Sequence, residues 1–382
     1  MAMTAFIDRL KALEAEDLLS AQLGLPQTAF SASPSAAHLE GSQYLSSPAA
    51  ARSYLLTIYP ALRRHYHWFR TSQKGQLKQW GRKPPSRLEA YRWRGRTEKH
   101  VLTSGLDDYP RATPPSNGEL HVDLLCWMGF FARAMGEVAE YLGEDSATDL
   151  AEYERNQANI LANLDALHWS EDDQMYCDVT VDDEGAARPP DVLRGDQRLT
   201  AADAAAPFTG ISDDSVFSCH AGYISLFPLL TGLLPPSSPH LKPILDLIAD
   251  PARLWSPYGI RSLSAEHPLF GQDENYWRGP IWMPFNYMIL SALYKVRLGP
   301  TALLWSPGLA EKPPGRFHHP GSETDARSPS PNDLVFLVSL QTYMPAPGPH
   351  QAQATEIYRA LRTNLIDNIH KVRPSDERSC RP

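Results

Sequence analysis

The sequence has no run of about 18 apolar residues, so it encodes no membrane-spanning helix. It has no basic excess: 36 Lys and Arg stand against 44 Asp and Glu, a net charge of −8. Without surplus cations to neutralise phosphates, a nucleic-acid partner is not expected. No pair of its four cysteines (Cys126, Cys177, Cys219, Cys380) has C-x-x-C spacing, which argues against a zinc or thioredoxin-like site. Four scattered cysteines do not identify the redox compartment, and Cys126, in an apolar run, reads as core. The opening "MAMTAFIDRLKALEAED" is an amphipathic helix pattern without a signal-peptide apolar core, and no N-x-S/T sequon occurs. The expectation is a soluble chain carrying no address. Strand signals are few; "QMYCDVTV" at 174–181 is the clearest.

Helical periodicity dominates what is there. Leu120, Leu124, Trp127, Phe131, Met135, Val138 and Leu142 step by three or four and form one apolar stripe. Ser116 and Glu119 ahead of it have capping-box spacing, and Gly143 is a plausible stop. Residues 149–167 read as a second helix. Residues 283–295, apolar nearly all round, read as a buried third. Residues 351–371 read as a fourth, with Ala354, Ile357, Leu361, Leu365 and Ile369 on one face. This predicts an all-α or mostly α domain of paired helices with long functional loops. Two stretches break the pattern: 26–50, rich in Ser, Ala and Pro, and 296–349, Pro-rich with little periodicity. A structureless excursion of that length inside a domain is itself anomalous.

Carboxylates next to aromatic rings recur: "SGLDDYPRA" at 104–112, "ELHVDLLCW" at 119–127, "SPYGIRSLS" at 256–264 and "GQDENYWRGPIWMPFNY" at 271–287, with "YRWRGR" at 91–96. Rings stack on the apolar faces of pyranoses, carboxylates accept hydroxyl hydrogen bonds, and glycosidic cleavage takes two carboxyl groups. Each residue also has a plainer explanation. Asp107 can be a turn residue and Glu119 the far member of a capping box, with Asp123 on its helix face at i, i+4. His121 can be a helix-surface histidine, Arg261 and Arg278 ion-pair partners, and Trp277 and Trp282 core.

Taken together and in order, "SGLDDYPRA", "ELHVDLLCWM", "GYISLFPLLTGLL", "SPYGIRSLS" and "DENYWRGPIWMPFNYMILSALY" resemble glycoside hydrolase family 63, closest to its processing α-glucosidases, the mannosyl-oligosaccharide glucosidases. The resemblance covers roughly residues 50–295 and resumes at "PGPHQAQATEIYRALRTNLIDNIHKV". It implies an (α/α)6 toroid and inverting hydrolysis of the terminal α-1,2-linked glucose of Glc3Man9GlcNAc2. The implied partner is the glucosylated high-mannose N-glycan of nascent glycoproteins in the endoplasmic reticulum; no cofactor and no metal are implied. Asp107 matches the family's general acid. Glu119 and Asp123 match acids important in the eukaryotic enzymes, and Tyr276, Trp277, Arg278 and Trp282 match the segment lining the pocket. Asp108 and Arg111 are its expected substrate-binding neighbours, and Asp108 or Asp123 is expected to help keep Asp107 protonated.

The sequence departs from the family in three ways. The anchor and N-terminal β-rich domain do not match. Residues 296–349 interrupt a helix–turn–helix. After "NLIDNIHKV" stands "RPSDERSCRP" where the family's general-base glutamate is carried, and Glu377 lacks that context. The expected organisation is an incomplete (α/α)6 catalytic domain over 1–295 and 350–372, a disordered Pro-rich insertion over 296–349, and an aberrant tail over 373–382. The last two read as translated intron. A chain of this make-up is expected to lack a base and to turn over poorly; the alternative is a non-catalytic glycan-binding or helical scaffold protein on the same toroid.

Overall fold

A computed structural model of the 382-residue chain describes residues 6, 7, 10, 11, 48–181, 215–298 and 350–371. The Pro-rich segment from 299 on and the tail from 372 on, including Glu377, lie outside the described residues, as does most of 26–50. Seven helices carry the described architecture: α1 (Pro48–Ser72), α2 (Val122–Leu142), α3 (Ala147–His168), α4 (Tyr223–Leu230), α5 (Leu241–Ala249), α6 (Met283–Leu298) and α7 (Gln351–Lys371). Three small antiparallel ladders sit between them: β1 (Trp169–Ser170) with β2 (Met175–Tyr176), β3 (Asp178–Val181) with β4 (Ser215–Ser218), and β5 (Trp255–Ser256) with β6 (Gly259–Ile260). The described fold is therefore mostly helical, and the strand signal at 174–181 becomes β2 and β3.

Helix α2 is the centre. It packs on α1, α3 and α4, and its buried surface is wider than the single stripe read from the sequence. Leu125, Cys126, Met128 and Ala132 are buried along with Leu124, Met135, Val138 and Leu142, whereas Trp127 and Phe131 are only half-buried. Burying each Leu or Met contributes about 1.5–3 kcal/mol. Gly143 ends the helix at φ 70°, its N–H reaching the Ala139 and Glu140 carbonyls.

Helices α6 and α7 pack on each other across the interval 299–349. The rings of Tyr294 and Tyr358 lie 5.7 Å apart, with the Arg297 guanidinium 5.3 Å from each. Helix α6 runs to Leu298, three residues past the expected boundary. It is not buried all round: Met288, Ile289, Leu293 and Val296 face the core, while Met283, Tyr287 and Tyr294 are exposed. The buried stripe of α7 ends at Leu365, because Ile369 is exposed. Among the described residues no helix is long and apolar enough to cross a membrane.

Candidate active site

The loop "SGLDDYPRA" is built by its own hydrogen bonds. Residues Leu102–Ser104 make a 3-10 turn, and Gly105 follows at φ 72°, a conformation that suits glycine. The Ser104 hydroxyl donates to the Val101 carbonyl (2.7 Å) and accepts the Leu106 N–H (3.0 Å), and the Val101 N–H donates to the Asp107 carbonyl (2.8 Å). The Tyr109 hydroxyl anchors the far end by donating to the His220 carbonyl (2.7 Å). Gly222 makes room for that ring: a Cβ there would stand 2.2 Å from the Tyr109 hydroxyl and 2.3 Å from the Ser262 carbonyl oxygen.

The two adjacent aspartates have opposite surroundings. Asp108 is fully buried. Its carboxylate accepts the backbone N–H groups of Tyr276 (2.9 Å) and Trp277 (2.7 Å), and Arg278 Nε donates to its carbonyl (2.8 Å). Arg278 reaches on to Asp273 (2.8 Å). The turn that aims those two amides is tight, with Asp273 at φ 53° and Asn275 at φ 49°, both in the left-handed region. Asp107 is half-buried, and among the described residues nothing donates a hydrogen bond to its carboxylate. Asp108 therefore does not present a bare charge to Asp107: its oxygens are spent on the 276–278 segment.

That segment carries the aromatic surface. Trp277 is buried and Trp282 half-buried, and their rings stack at 4.2 Å and 15°. Tyr276 is exposed and 5.4 Å from Trp282, whose indole N–H donates to the Tyr276 carbonyl. Core packing accounts for Trp277 but not for Tyr276.

Glu119 and Asp123 are not helix-face neighbours, because α2 begins only at Val122, with His121 as its N-cap. Ser116 does not cap this helix, although its N–H donates to the Glu119 carboxylate (3.3 Å). The first free amide of α2, Val122 N–H, is accepted instead by Asp178 from β3 (2.9 Å). Asp123 is fully buried, takes two hydrogen bonds from Arg111 (2.7 and 3.2 Å) and one from the Trp93 indole (3.1 Å), and Arg111 also binds Asp178 (2.7 Å). Glu119 pairs with Arg96, which also donates to the Ala112 carbonyl. Burial, then repulsion from Arg111, holds the Arg96 guanidinium down to about 10.

His121 is buried rather than on the helix surface. Its Nδ1 accepts the Trp93 N–H (3.0 Å), and burial together with Arg111 holds it neutral. Neither Asp123 nor Glu119 is thus a free carboxylate, and Arg111 is a structural cation rather than a loose ligand. Among the described residues Arg261 pairs with no acid; it donates to the Pro251, Arg253 and Trp255 carbonyls.

A cavity of about 410 Å³ opens beside the loop. Tyr109, Pro110, Arg111, Arg96, Arg278 and Asp273 line it together with Ser218 and His220 from the end of β4. A more open groove of about 770 Å³ lies along α1 at Tyr59, Arg63, His67, Trp68 and Asp149, and shares none of these residues.

Sequence reasoning missed Asp178, Arg96, His220, His267 and a disulfide joining Cys177 to Cys219. Asp178 and Arg96 become visible only once β3 lies against the start of α2, and the cysteine spacing carries no pairing signal. Asp173 sits close to both sulfurs, but their bond leaves no thiolate for a metal.

Known proteins are similar to this chain in sequence. The chain is 41% identical over 326 residues to the "Probable mannosyl-oligosaccharide glucosidase" of Schizosaccharomyces pombe, covering 85% of this chain and 31% of that protein. It is 34% identical over 337 residues to the "Mannosyl-oligosaccharide glucosidase" of Saccharomyces cerevisiae, covering 85% and 32%. The chain thus spans about a third of the length of these relatives. Among solved structures, a GH63 mannosylglycerate hydrolase from Thermus thermophilus in complex with glucose is similar at 18% identity and a TM-score of 0.36, over 64% of this chain and 59% of that one. Residues 13–302 match the Glycosyl hydrolase family 63 C-terminal domain, and the chain belongs to that family of glycoside hydrolases.

Proposed function

We propose that the chain carries the proton-donating half of a mannosyl-oligosaccharide glucosidase site. Its substrate is the terminal α-1,2-linked glucose of Glc3Man9GlcNAc2 on nascent glycoproteins. The observation that carries this reading is the contrast at the loop. Asp108, Glu119, Asp123 and Asp178 are all buried and bound to arginines or amides, while Asp107 alone on that loop keeps a half-exposed carboxylate without a partner among the described residues. A general acid needs a free oxygen on a rigid mount; Asp108 and Ser104 supply the mount. The Tyr276, Trp277 and Trp282 rings offer the surface on which a glucosyl ring stacks.

The reaction is a single displacement. Asp107 gives its proton to the glycosidic oxygen, the anomeric C–O bond breaks, and water attacks the anomeric carbon from the opposite face while a base takes its proton, leaving β-glucose. General-acid assistance of the kind assigned to Asp107 is worth about 10²–10⁴-fold. The packing of α2 on α3 and of α6 on α7 supports reading each pair as a hairpin of an (α/α)6 toroid. The Cys177–Cys219 bridge supports an oxidising compartment such as the endoplasmic reticulum lumen.

Kojibiose, an α-1,2-linked glucose disaccharide, tests the reading. Glucose release abolished by Asp107→Asn supports it. Calorimetric binding without release favours the non-catalytic glycan-binding alternative. Neither binding nor release overturns both.

A further inference from the structure

The cavity wall holds a proton-ordered relay that the acid-base chemistry above does not use. The Leu269 backbone N–H donates to His267 Nδ1 (3.1 Å). A backbone amide can only donate, so His267 Nδ1 bears no proton, and in the neutral ring Nε2 does. His267 Nε2 lies 2.9 Å from His220 Nδ1. His267 is therefore the donor in that pair and His220 Nδ1 the acceptor, which places the His220 proton on Nε2. His220 Nε2 lies 3.1 Å from the Ser218 hydroxyl oxygen, which must accept. One fixed amide thus orders four groups in line. A second proton on either ring sets N–H against N–H, so the relay needs both histidines neutral, and burial holds both down, His220 to about 4.

The relay ends at the wall of the cavity beside the loop, which Tyr109–Thr113 line and Asp107 and the Trp277 and Trp282 rings do not. Ser218 and His220 line the cavity with Arg96, Arg111 and Tyr109. The β3–β4 register sets Ser218 opposite Asp178, which holds Arg111, and the Cys177–Cys219 bridge ties the adjacent residues of both strands. His220 already fills an acceptor site on the Ser218 oxygen, so the serine's own O–H is released, and among the described residues it donates to no acceptor. The guanidinium neighbours are donors only, and Asp273 is committed to Arg278. Glu98, the other carboxylate of the wall, makes no hydrogen bond to Ser218 among the described residues, so the O–H points into the cavity unreceived.

We propose that Ser218 donates a hydrogen bond to a hydroxyl oxygen of the bound glucoside, and that His220 and His267 are positioning residues that hold it in that orientation. The assignment rests on the reading that this loop binds a glucosyl group. Calorimetry of the full chain with kojibiose tests it. Ser218→Ala weakens binding about tenfold, the equivalent of one hydrogen bond. His220→Ala weakens it several-fold, and His220→Gln, whose side-chain N–H stands in for Nε2–H, restores most of the loss; a merely structural role gives no such rescue. Imidazole ¹⁵N NMR of the wild type shows both rings as the Nε2–H tautomer. Binding by Ser218→Ala within twofold of the wild type overturns the proposal and leaves the glucosidase reading intact. An Nδ1–H tautomer at either ring overturns the relay. A wild type that binds no kojibiose overturns both readings.

Discussion

Asp107→Asn and Asp108→Asn, neighbouring substitutions of identical chemistry, have opposite consequences. Asp108 is fully buried and accepts two backbone N–H groups at 2.9 and 2.7 Å beside the Arg278 guanidinium. Hydrogen bonds to a charged group are worth about 1.5–3 kcal/mol each. Asparagine keeps one acceptor oxygen and turns an NH₂ toward the other amide, so one such bond and the ion pair are lost, a cost of about 2–4 kcal/mol. A domain of this size loses roughly 2–4 °C of Tm per kcal/mol, which gives a drop of about 4–16 °C. Asp107 is half-exposed and makes no such bonds, so Asp107→Asn stays within about 0.5 kcal/mol of the wild type. Thermal unfolding of the two variants, followed by tryptophan fluorescence, reads both numbers, and Asp108→Asn also loosens the Trp277–Trp282 stack. Equal Tm values, or a larger loss in Asp107→Asn, would refute the division of labour between the two aspartates.

Further predictions concern the frame around the site. Gly222→Ala places a Cβ against the Tyr109 hydroxyl and the Ser262 carbonyl; overpacking of this kind costs about 1–3 kcal/mol, visible as a lower urea midpoint. Cys177→Ser with Cys219→Ser opens a bridge of sequence separation 42 and removes about 4 kcal/mol of loop-closure stabilisation, read as a Tm loss that reductant no longer deepens. Burial depresses the buried His168 and His220 to about 4 each. The unfolded chain therefore binds more protons than the folded one between about pH 4 and 6.5. Stability accordingly falls as pH drops through that window, by about 1.4 kcal/mol per pH unit for each histidine, and His220→Gln makes the urea-midpoint profile shallower. Replacing 300–348 by a short turn preserves the α6–α7 packing, so the excised chain unfolds within a few degrees of the parent.

Periodicity made the long helices legible because each buries a stripe against one neighbour. The reading of α2–α3 and of α7 came within a few residues of the observed bounds. It failed where tertiary packing overrode the local signal. Ser116 and Glu119 have capping-box spacing, but β3 brings Asp178 to the start of α2 and an arginine takes Glu119. The apolar pattern of α6 says nothing about which face meets a neighbour, and Tyr287 proves exposed. The motifs located the loop and the aromatic segment. They could not reveal that Asp108 is the clamp between the two, because that contact spans 168 residues of sequence. The histidine relay was invisible for the same reason: His220 and His267 meet only when the turn after β4 lies against the loop that follows β6.

The central claim is that Asp107 protonates the departing glycosidic oxygen. Rates of glucose release from kojibiose and from α-glucosyl fluoride, compared between wild type and Asp107→Asn, test it most directly, because fluoride leaves without a proton. Kojibiose cleavage is predicted to fall about 10²–10⁴-fold while cleavage of the fluoride survives; equal loss on both substrates, or no loss on kojibiose, would contradict it.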